Sequence, residues 1–224
     1  MTAPCVSNPT FPWLVAFVRY SPGGNIELVE GAGTLLSRSW VLTAAHAVID
    51  PATTTALIGA SSLRSCAIAQ MRRVNKPIPA KDYDGKSSIP VNDLALVQLA
   101  APYDASSYVK LGMPDPPALS LGWGDANACK HHYSHDLKRV DVRIGGAPDG
   151  TLLGLPVQPR VQTCYGDSGG PLLVKSGGDW VQIGVTSCLN IARDCHSGSL
   201  YTALTAADFA CIAETTKGEV VAPR

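Results

Sequence analysis

Short apolar runs separated by turn residues are the main pattern along the chain. The runs are rich in Val, Ile, Leu and Trp, and 21 glycines and 17 prolines interrupt them at close intervals. Short strands at such spacing, with little helical periodicity, are typical of an all-β sandwich or barrel. The pattern predicts strands at residues 13–19, 26–36, 40–43, 56–58, 94–99, 119–123, 139–144, 171–174 and 180–186.

One helix is predicted near the end of the chain. Thr205 can cap its first turn, and Asp208 stands three residues later, as in a capping box. Good helix formers fill residues 206–214, and Lys217 with Gly218 would end the helix. The chain therefore reads as β-rich with a short C-terminal helix.

Composition limits the function classes. The chain has 224 residues and is 46% hydrophobic, which is enough for a sizeable core in one domain or two fused halves. Its 18 basic and 18 acidic residues give no basic field for nucleic acid or an anionic membrane. No apolar run approaches the ~20 residues of a membrane span. The first residues lack a basic segment followed by an apolar one, so we expect no signal peptide within this chain.

A proline-rich segment, GMPDPP at residues 112–117, is the best linker candidate. A linker at 112–118 divides the chain into a first half, 1–111, and a second half, 119–224. The second half would include the C-terminal helix.

Three segments carry candidate chemistry: TAAH at 43–46, NDLAL at 92–96 and GDSGGP at 166–171. They supply a histidine, an acid and a serine, each on an apolar scaffold. Serine alone is a poor nucleophile, so it needs a neighbouring base, and the base needs a third group that fixes its tautomer. This combination points to a serine hydrolase.

The same segments resemble those around the catalytic residues of the chymotrypsin and trypsin family. Three further segments fit that family in its order: FPWLV at 11–15, LGWG at 121–124 and LYT at 200–202. The resemblance covers most of the chain and implies two Greek-key β-barrels packed together, with the active site in the cleft between them. It also implies a serine endopeptidase that forms an acyl-enzyme. His46 would be the general base, Asp93 its orienting acid and Ser168 the nucleophile.

The resemblance extends to groups around the nucleophile. Gly166 and Ser168 would donate backbone N–H groups to the oxyanion. Ser187 matches the family serine that supports the catalytic acid and hydrogen-bonds substrate backbone. The substrate-binding set implied by the family comprises Gln162, Thr163, Tyr165, Ser187, Leu189 and Ser199.

Specificity follows from the same comparison. Gln162 stands six residues before the serine, at the base of the primary pocket, where trypsin-like members carry Asp. An uncharged Gln162 argues against a preference for Lys or Arg. Leu189 and Ser199 match wall positions that are glycine in wide-pocket members. We therefore expect cleavage after small or medium uncharged residues.

Seven cysteines leave at least one thiol without an intramolecular partner. The family implies a disulfide between Cys164 and Cys195, which clamps the walls of the substrate pocket. The family disulfide beside the histidine is missing, and we match its positions to Ala32 and Ala47. An extracellular or periplasmic location is expected. The pairing of the others stays open: Cys5, Cys66, Cys129, Cys188 and Cys211.

Activation is a point of departure from the family. Its members usually free an Ile or Val N-terminus, whose amine pairs with the aspartate before the serine, here Asp167. This chain begins Met1-Thr2 instead. We expect no N-terminal amine within salt-bridge distance of Asp167.

Alternative interpretations remain open at the level of sequence. The segment at 166–170 also satisfies the G-x-S-x-G pattern of α/β-hydrolases, including esterases, but that fold places its histidine after the serine. A non-catalytic or zymogen-like relative could act as a binding or signalling module. A His cluster at 131–135 follows Cys129, yet its spacing is irregular, so we expect no metal site and no cofactor. The expected partners are protein or peptide substrates and proteinaceous inhibitors.

Overall fold

The structure is a computed structural model that describes residues 10–47, 49–64, 70–87, 89–113, 117–125, 133–146, 151–157, 163–189 and 198–221. Within these ranges, the strands lie in two sheets of seven strands each.

The first sheet is built from the N-terminal strands β1 (Leu14–Tyr20), β2 (Ile26–Leu35), β3 (Trp40–Thr43), β4 (Thr54–Ile58), β5 (Met71–Arg73), β6 (Ile78–Pro79) and β7 (Ala95–Gln98). Their order in the sheet is β5-β4-β1-β2-β3-β7-β6. Strand β1, which lies between β4 and β2, begins with a continuous apolar run of five buried residues because both of its faces are covered. The sheet curves, and an isolated bridge joins Val74, directly after β5, to Leu99, directly after β7.

The second sheet closes into a barrel. Its strands are β8 (Lys110–Leu111), β9 (Ala118–Gly122), β10 (Lys138–Gly146), β11 (Thr151–Pro156), β12 (Pro171–Ser176), β13 (Asp179–Leu189) and β14 (Ser199–Ala203). The order is β12-β9-β10-β11-β14-β13-β8, and an additional β12–β13 pairing closes six of these strands. Strand β10 alternates: Val140 and Val142 are buried, whereas Asp141 between them is exposed.

The two sheets share a large hydrophobic cluster, and a smaller cluster fills the second barrel. The large cluster includes Leu35 and Leu42 from the first sheet, and Leu121 and Val185 from the second. The predicted all-β fold of two packed barrels is therefore confirmed, and the packing places the facing ends of both sheets against each other.

The C-terminal helix α1 (Ala206–Thr215) is also confirmed. The Thr205 side chain accepts the Asp208 N–H at 3.3 Å, while the Thr205 N–H donates to the Asp208 carboxylate at 2.8 Å. Phe209 and Ile212 pack into the large core cluster. No helix in the described part of the chain is long and apolar enough to cross a bilayer.

The predicted linker at 112–118 lies partly outside the described residues, since 114–116 are among those left out. Strand β8 pairs with β13 of the second sheet, although it precedes that linker. The domain limits therefore stay a prediction.

Candidate active site

Two neighbouring strands position His46 and Asp93. Strands β3 and β7 are antiparallel, with Thr43 opposite Ala95. The chain leaves β3 just before His46 and enters β7 just after Asp93, so the two residues emerge at the same edge of the sheet. Residues 47 positions apart thus become neighbours because of one strand pairing.

Asp93 contacts His46 twice. Its Oδ2 lies 2.6 Å from Nδ1 of the ring, and its Oδ1 accepts the His46 backbone N–H at 2.8 Å. Oδ2 also accepts the Ser187 hydroxyl at 2.5 Å. An Nδ1–H that donates to the carboxylate leaves Nε2 of the ring free to accept another proton.

The environment of Asp93 keeps it ionised. Complete burial by itself would raise the pKa of this carboxyl, but the His46 ring, the Ser187 hydroxyl and the His46 backbone N–H together hold the pKa below its ordinary value. An anion is therefore fixed beside the imidazole.

Ser168 comes from a tight turn before β12. The turn needs two glycines with left-handed backbone, Gly166 at φ 94° and Gly169 at φ 83°. The Ser168 Oγ lies 2.8 Å from Nε2 of His46. The structure therefore brings together the three residues that the sequence singled out, and the second sheet presents its serine to the histidine of the first.

Two N–H groups near the serine are available to a ligand. Within the described residues, neither Gly166 nor Ser168 donates its N–H to a protein acceptor. A Cβ at position 166 would lie 2.9 Å from the Tyr133 ring, so both the space and the positive φ require glycine there. This arrangement suits an oxyanion, which accepts hydrogen bonds from such paired donors.

Asp167 points away from the serine into the protein. Its carboxylate accepts the N–H groups of Gly124 at 2.7 Å and Cys164 at 2.9 Å. Burial raises the pKa of Asp167 to about 6, although these two hydrogen bonds oppose the rise. A Cβ at Gly122 or Gly124 would overlap the carboxylate, which explains the glycines of the LGWG segment. Met1 and Thr2 lie outside the described residues, so the expected lack of an amine partner stays a prediction.

The pocket residues are described only in part. The Thr163 hydroxyl donates to Ser199 Oγ at 2.5 Å, and both side chains are buried. Tyr165 is exposed, and the backbone of Leu189 pairs with Ser199. Gln162 lies outside the described residues, so the base of the pocket is still a prediction.

Only some of the cysteines lie among the described residues. Cys164 is buried, whereas Cys211 on α1 is exposed and carries a free thiol. The proposed partner of Cys164, Cys195, lies outside the described residues, and so do Cys5, Cys66 and Cys129.

No group of three or more potential metal ligands occurs among the described residues. His131 and His132 of the histidine cluster lie outside them.

One sequence interpretation is wrong. An ideal Cβ built on Gly31, not Ala32, lies 3.6 Å from the Ala47 Cβ, within the range of about 3.5–4.5 Å that a disulfide needs. Ala32 instead faces Gly170. The match was one residue out of register, and in a strand such a shift moves a side chain to the opposite face.

Sequence reasoning also missed the groups that hold the serine turn. The Ala32 N–H donates to the Ser168 carbonyl at 2.7 Å, and the Gly169 N–H donates to the Thr186 carbonyl at 2.8 Å. These are backbone contacts between sequence-distant segments. Only the glycines of the GDSGGP segment hinted at such close packing.

Comparison with known proteins agrees with this geometry. The trypsin family model matches residues 4–210. The chain is 32% identical over 202 residues to kallikrein 1-related peptidase b22 of Mus musculus, covering 79% of this chain and 73% of that protein. It is 31% identical over 204 residues to tonin of Rattus norvegicus, covering 79% of this chain and 73% of that protein. The chain therefore belongs to the trypsin family of serine proteases.

Proposed function

We propose that this protein is a serine endopeptidase with His46, Asp93 and Ser168 as its catalytic residues. The observation that carries the proposal is the continuous contact from Asp93 Oδ2 to His46 Nδ1, at 2.6 Å, and from His46 Nε2 to Ser168 Oγ, at 2.8 Å. Those distances suit proton transfer from a serine to a base that an anion orients.

The reaction would proceed in two halves. Ser168 Oγ attacks the peptide carbonyl while His46 takes the hydroxyl proton. The carbonyl oxygen becomes an anion, and the N–H groups of Gly166 and Ser168 stabilise it. His46 then gives the proton to the leaving amine, the C–N bond breaks, and an ester on Ser168 remains. Water, activated by the same imidazole, hydrolyses that ester and restores the serine.

The substrate side of the proposal is a preference for small or medium uncharged residues before the cleaved bond. Thr163 and Ser199 are hydrogen-bonded to each other in the buried interior, and neither side chain carries a charge that could pair with a basic side chain. Gln162 is also uncharged. The expected substrates are proteins or peptides, and proteinaceous inhibitors that present a similar segment would bind the same site.

The compartment belongs to the same proposal. A Cys164–Cys195 disulfide beside the pocket requires an oxidising environment, which favours an extracellular or periplasmic location. Mass spectrometry of a non-reduced digest tests the disulfide directly, because the two cysteines lie in separable peptides.

The fold differs from the α/β-hydrolase fold on which the esterase alternative rests. An α/β-hydrolase carries its serine on a turn between a strand and a helix. Here the serine turn leads into strand β12, and the fold consists of two β-barrels. A non-catalytic binding module remains the alternative that experiment must exclude.

Labelling with a serine-directed phosphonate tests the proposal. We expect one label, mapped to Ser168 by mass spectrometry, and none in His46→Ala or Ser168→Ala. Wild type that folds but takes up no label would favour the binding module.

Casein hydrolysis then establishes peptidase activity. A peptide library measures which residue is preferred before the cleaved bond, and dominant cleavage after Arg or Lys would refute the specificity proposed here.

A further inference from the structure

A buried hydroxyl outside the catalytic residues lies next to the serine turn. Thr43 ends strand β3, is fully buried, and donates its hydroxyl to the Ala32 carbonyl at 2.8 Å. The chemistry described above does not use Thr43. Its contacts nevertheless reach each element that carries a catalytic residue.

The first connection is to the serine. Ala32 accepts from Thr43 through its carbonyl and donates to the Ser168 carbonyl through its N–H, at 2.7 Å. Both bonds lie on the backbone of one residue in β2. A shift of the Ala32 backbone would therefore also shift the Ser168 carbonyl to which its N–H is hydrogen-bonded.

The second connection is steric. A Cβ at Gly169 would overlap both the Thr43 hydroxyl and the Ala32 carbonyl. The serine turn thus packs directly onto this hydrogen bond, with no room for a side chain between them. Gly169 is fixed from its other side by the bond from its N–H to the Thr186 carbonyl.

The third connection is to the base and its acid. Thr43 precedes His46 by three residues on the same segment and pairs with Ala95, two residues after Asp93. The hydroxyl therefore lies where β3 and β7 deliver His46 and Asp93, and where β2 meets the turn that carries Ser168.

We propose that Thr43 is a positioning residue that sets the distance between Ser168 and His46 by holding Ala32 against the serine turn. This inference rests on the proposed function, because the distance matters only if Ser168 is the nucleophile. Valine has nearly the same shape as threonine but cannot donate a hydrogen bond. It would leave the buried Ala32 carbonyl without its donor and put a methyl group where the hydroxyl meets the serine turn.

The test compares Thr43→Val, Thr43→Ala and Thr43→Ser with a matched control. Thr216→Val is suitable because Thr216 is also buried and donates its hydroxyl to the Ile212 carbonyl at 2.8 Å, but it lies directly after the C-terminal helix. Turnover, KM, the rate of phosphonate labelling and urea unfolding are measured for each. Unfolding separates loss of stability from loss of positioning.

We expect kcat and the labelling rate of Thr43→Val and Thr43→Ala to fall about tenfold or more, since small misplacements of reacting groups have large effects on rate. KM should stay within about twofold, because the pocket is untouched. Thr43→Ser should regain most of the rate. Thr216→Val should lose stability but keep kcat.

The results separate the inference from the proposed function. An unlabelled wild type would refute the proposed function. A labelled wild type with full kcat in Thr43→Val or Thr43→Ala would refute the positioning role alone. So would a Thr43→Ser variant as slow as Thr43→Ala, since the hydroxyl would then be irrelevant. If Thr43→Val does not fold, the comparison of alanine with serine still decides.

Discussion

The carboxylate of Asp93 binds both the backbone and the ring of His46. Its Oδ1 accepts the His46 backbone N–H at 2.8 Å, and its Oδ2 lies 2.6 Å from Nδ1 of the ring. One acid therefore fixes both the place of the histidine and the direction of its ring. A carboxylate only accepts hydrogen bonds, so it also fixes which ring nitrogen carries the proton. The free nitrogen, Nε2, then faces Ser168.

Asp93→Asn tests this relationship. An amide can present a donor to Nδ1 and so favour the wrong tautomer, and we expect turnover to fall by about 10⁴ with the fold retained. Peptide hydrolysis by the variant is compared with that of Ser168→Ala, which sets the background rate. A variant that keeps a tenth of the wild-type turnover would contradict the assigned role of Asp93.

Ser187→Ala tests the support of Asp93. The lost hydrogen bond is made to a buried anion, so we expect the free energy of unfolding at pH 7 to fall by about 1.5–3 kcal/mol. The pKa of Asp93 is depressed in the folded state, so the stability it contributes is present at neutral pH and is lost as the pH falls through that folded pKa. The effect of Ser187→Ala should therefore shrink in acid. Urea unfolding at a series of pH values measures this change in the free energy of unfolding. A change that is equal at all pH values would show that the hydrogen bond does not stabilise the ionised form of Asp93.

Asp167→Asn tests the environment of the second buried acid. Burial raises the pKa of Asp167 from 3.8 to about 6, so the folded state holds its proton more tightly than the unfolded state. The stability from this group is fully present below pH 3.8 and is lost as the pH rises to about 6. In urea unfolding, the free energy of unfolding of wild type should therefore fall by roughly 3 kcal/mol relative to that of Asp167→Asn across that window. The reason is that one pKa unit corresponds to about 1.4 kcal/mol.

The opposite slope for Asp167 would be equally informative. If the free energy of unfolding of wild type instead rises relative to that of Asp167→Asn as the pH rises, a cation pairs with the carboxylate, as the family's N-terminal amine does. That result would contradict the expectation that no N-terminal amine pairs with Asp167. Adding a few residues before Met1 then tells whether the amine is that cation.

Gly31→Ala tests the close approach of β2 to the serine turn. The added Cβ would lie 2.7 Å from the Ser168 carbonyl, so the turn or the strand must shift. We expect kcat to fall about tenfold or more with little change in KM. Gly146→Ala is the control, because nothing lies within 4 Å of its added Cβ. Equal rates for the two variants would mean that the turn adapts without cost.

The sequence determined the residue types and the local structure. Alternating and continuous apolar runs predicted most of the strands, and Thr205 with Asp208 predicted the start of α1. Strand β11 (Thr151–Pro156) was not predicted, because its apolar residues show no alternation and its pairing with β10 and β14 determines its structure. The glycines of the GDSGGP segment permit the turn that carries Ser168, since left-handed backbone and close packing both require the absence of a side chain.

Only the tertiary structure decided which of those residues meet. His46 and Asp93 are neighbours because β3 pairs with β7, and Ser168 reaches them because the second barrel packs on the first. The choice between Gly31 and Ala32 as the partner of Ala47 depended on a register of one residue, which a sequence match could not fix. The contacts of Thr43 and Ala32 were invisible for the same physical reason: hydrogen bonds between distant segments depend on the packing of the whole chain, and local patterns do not encode them.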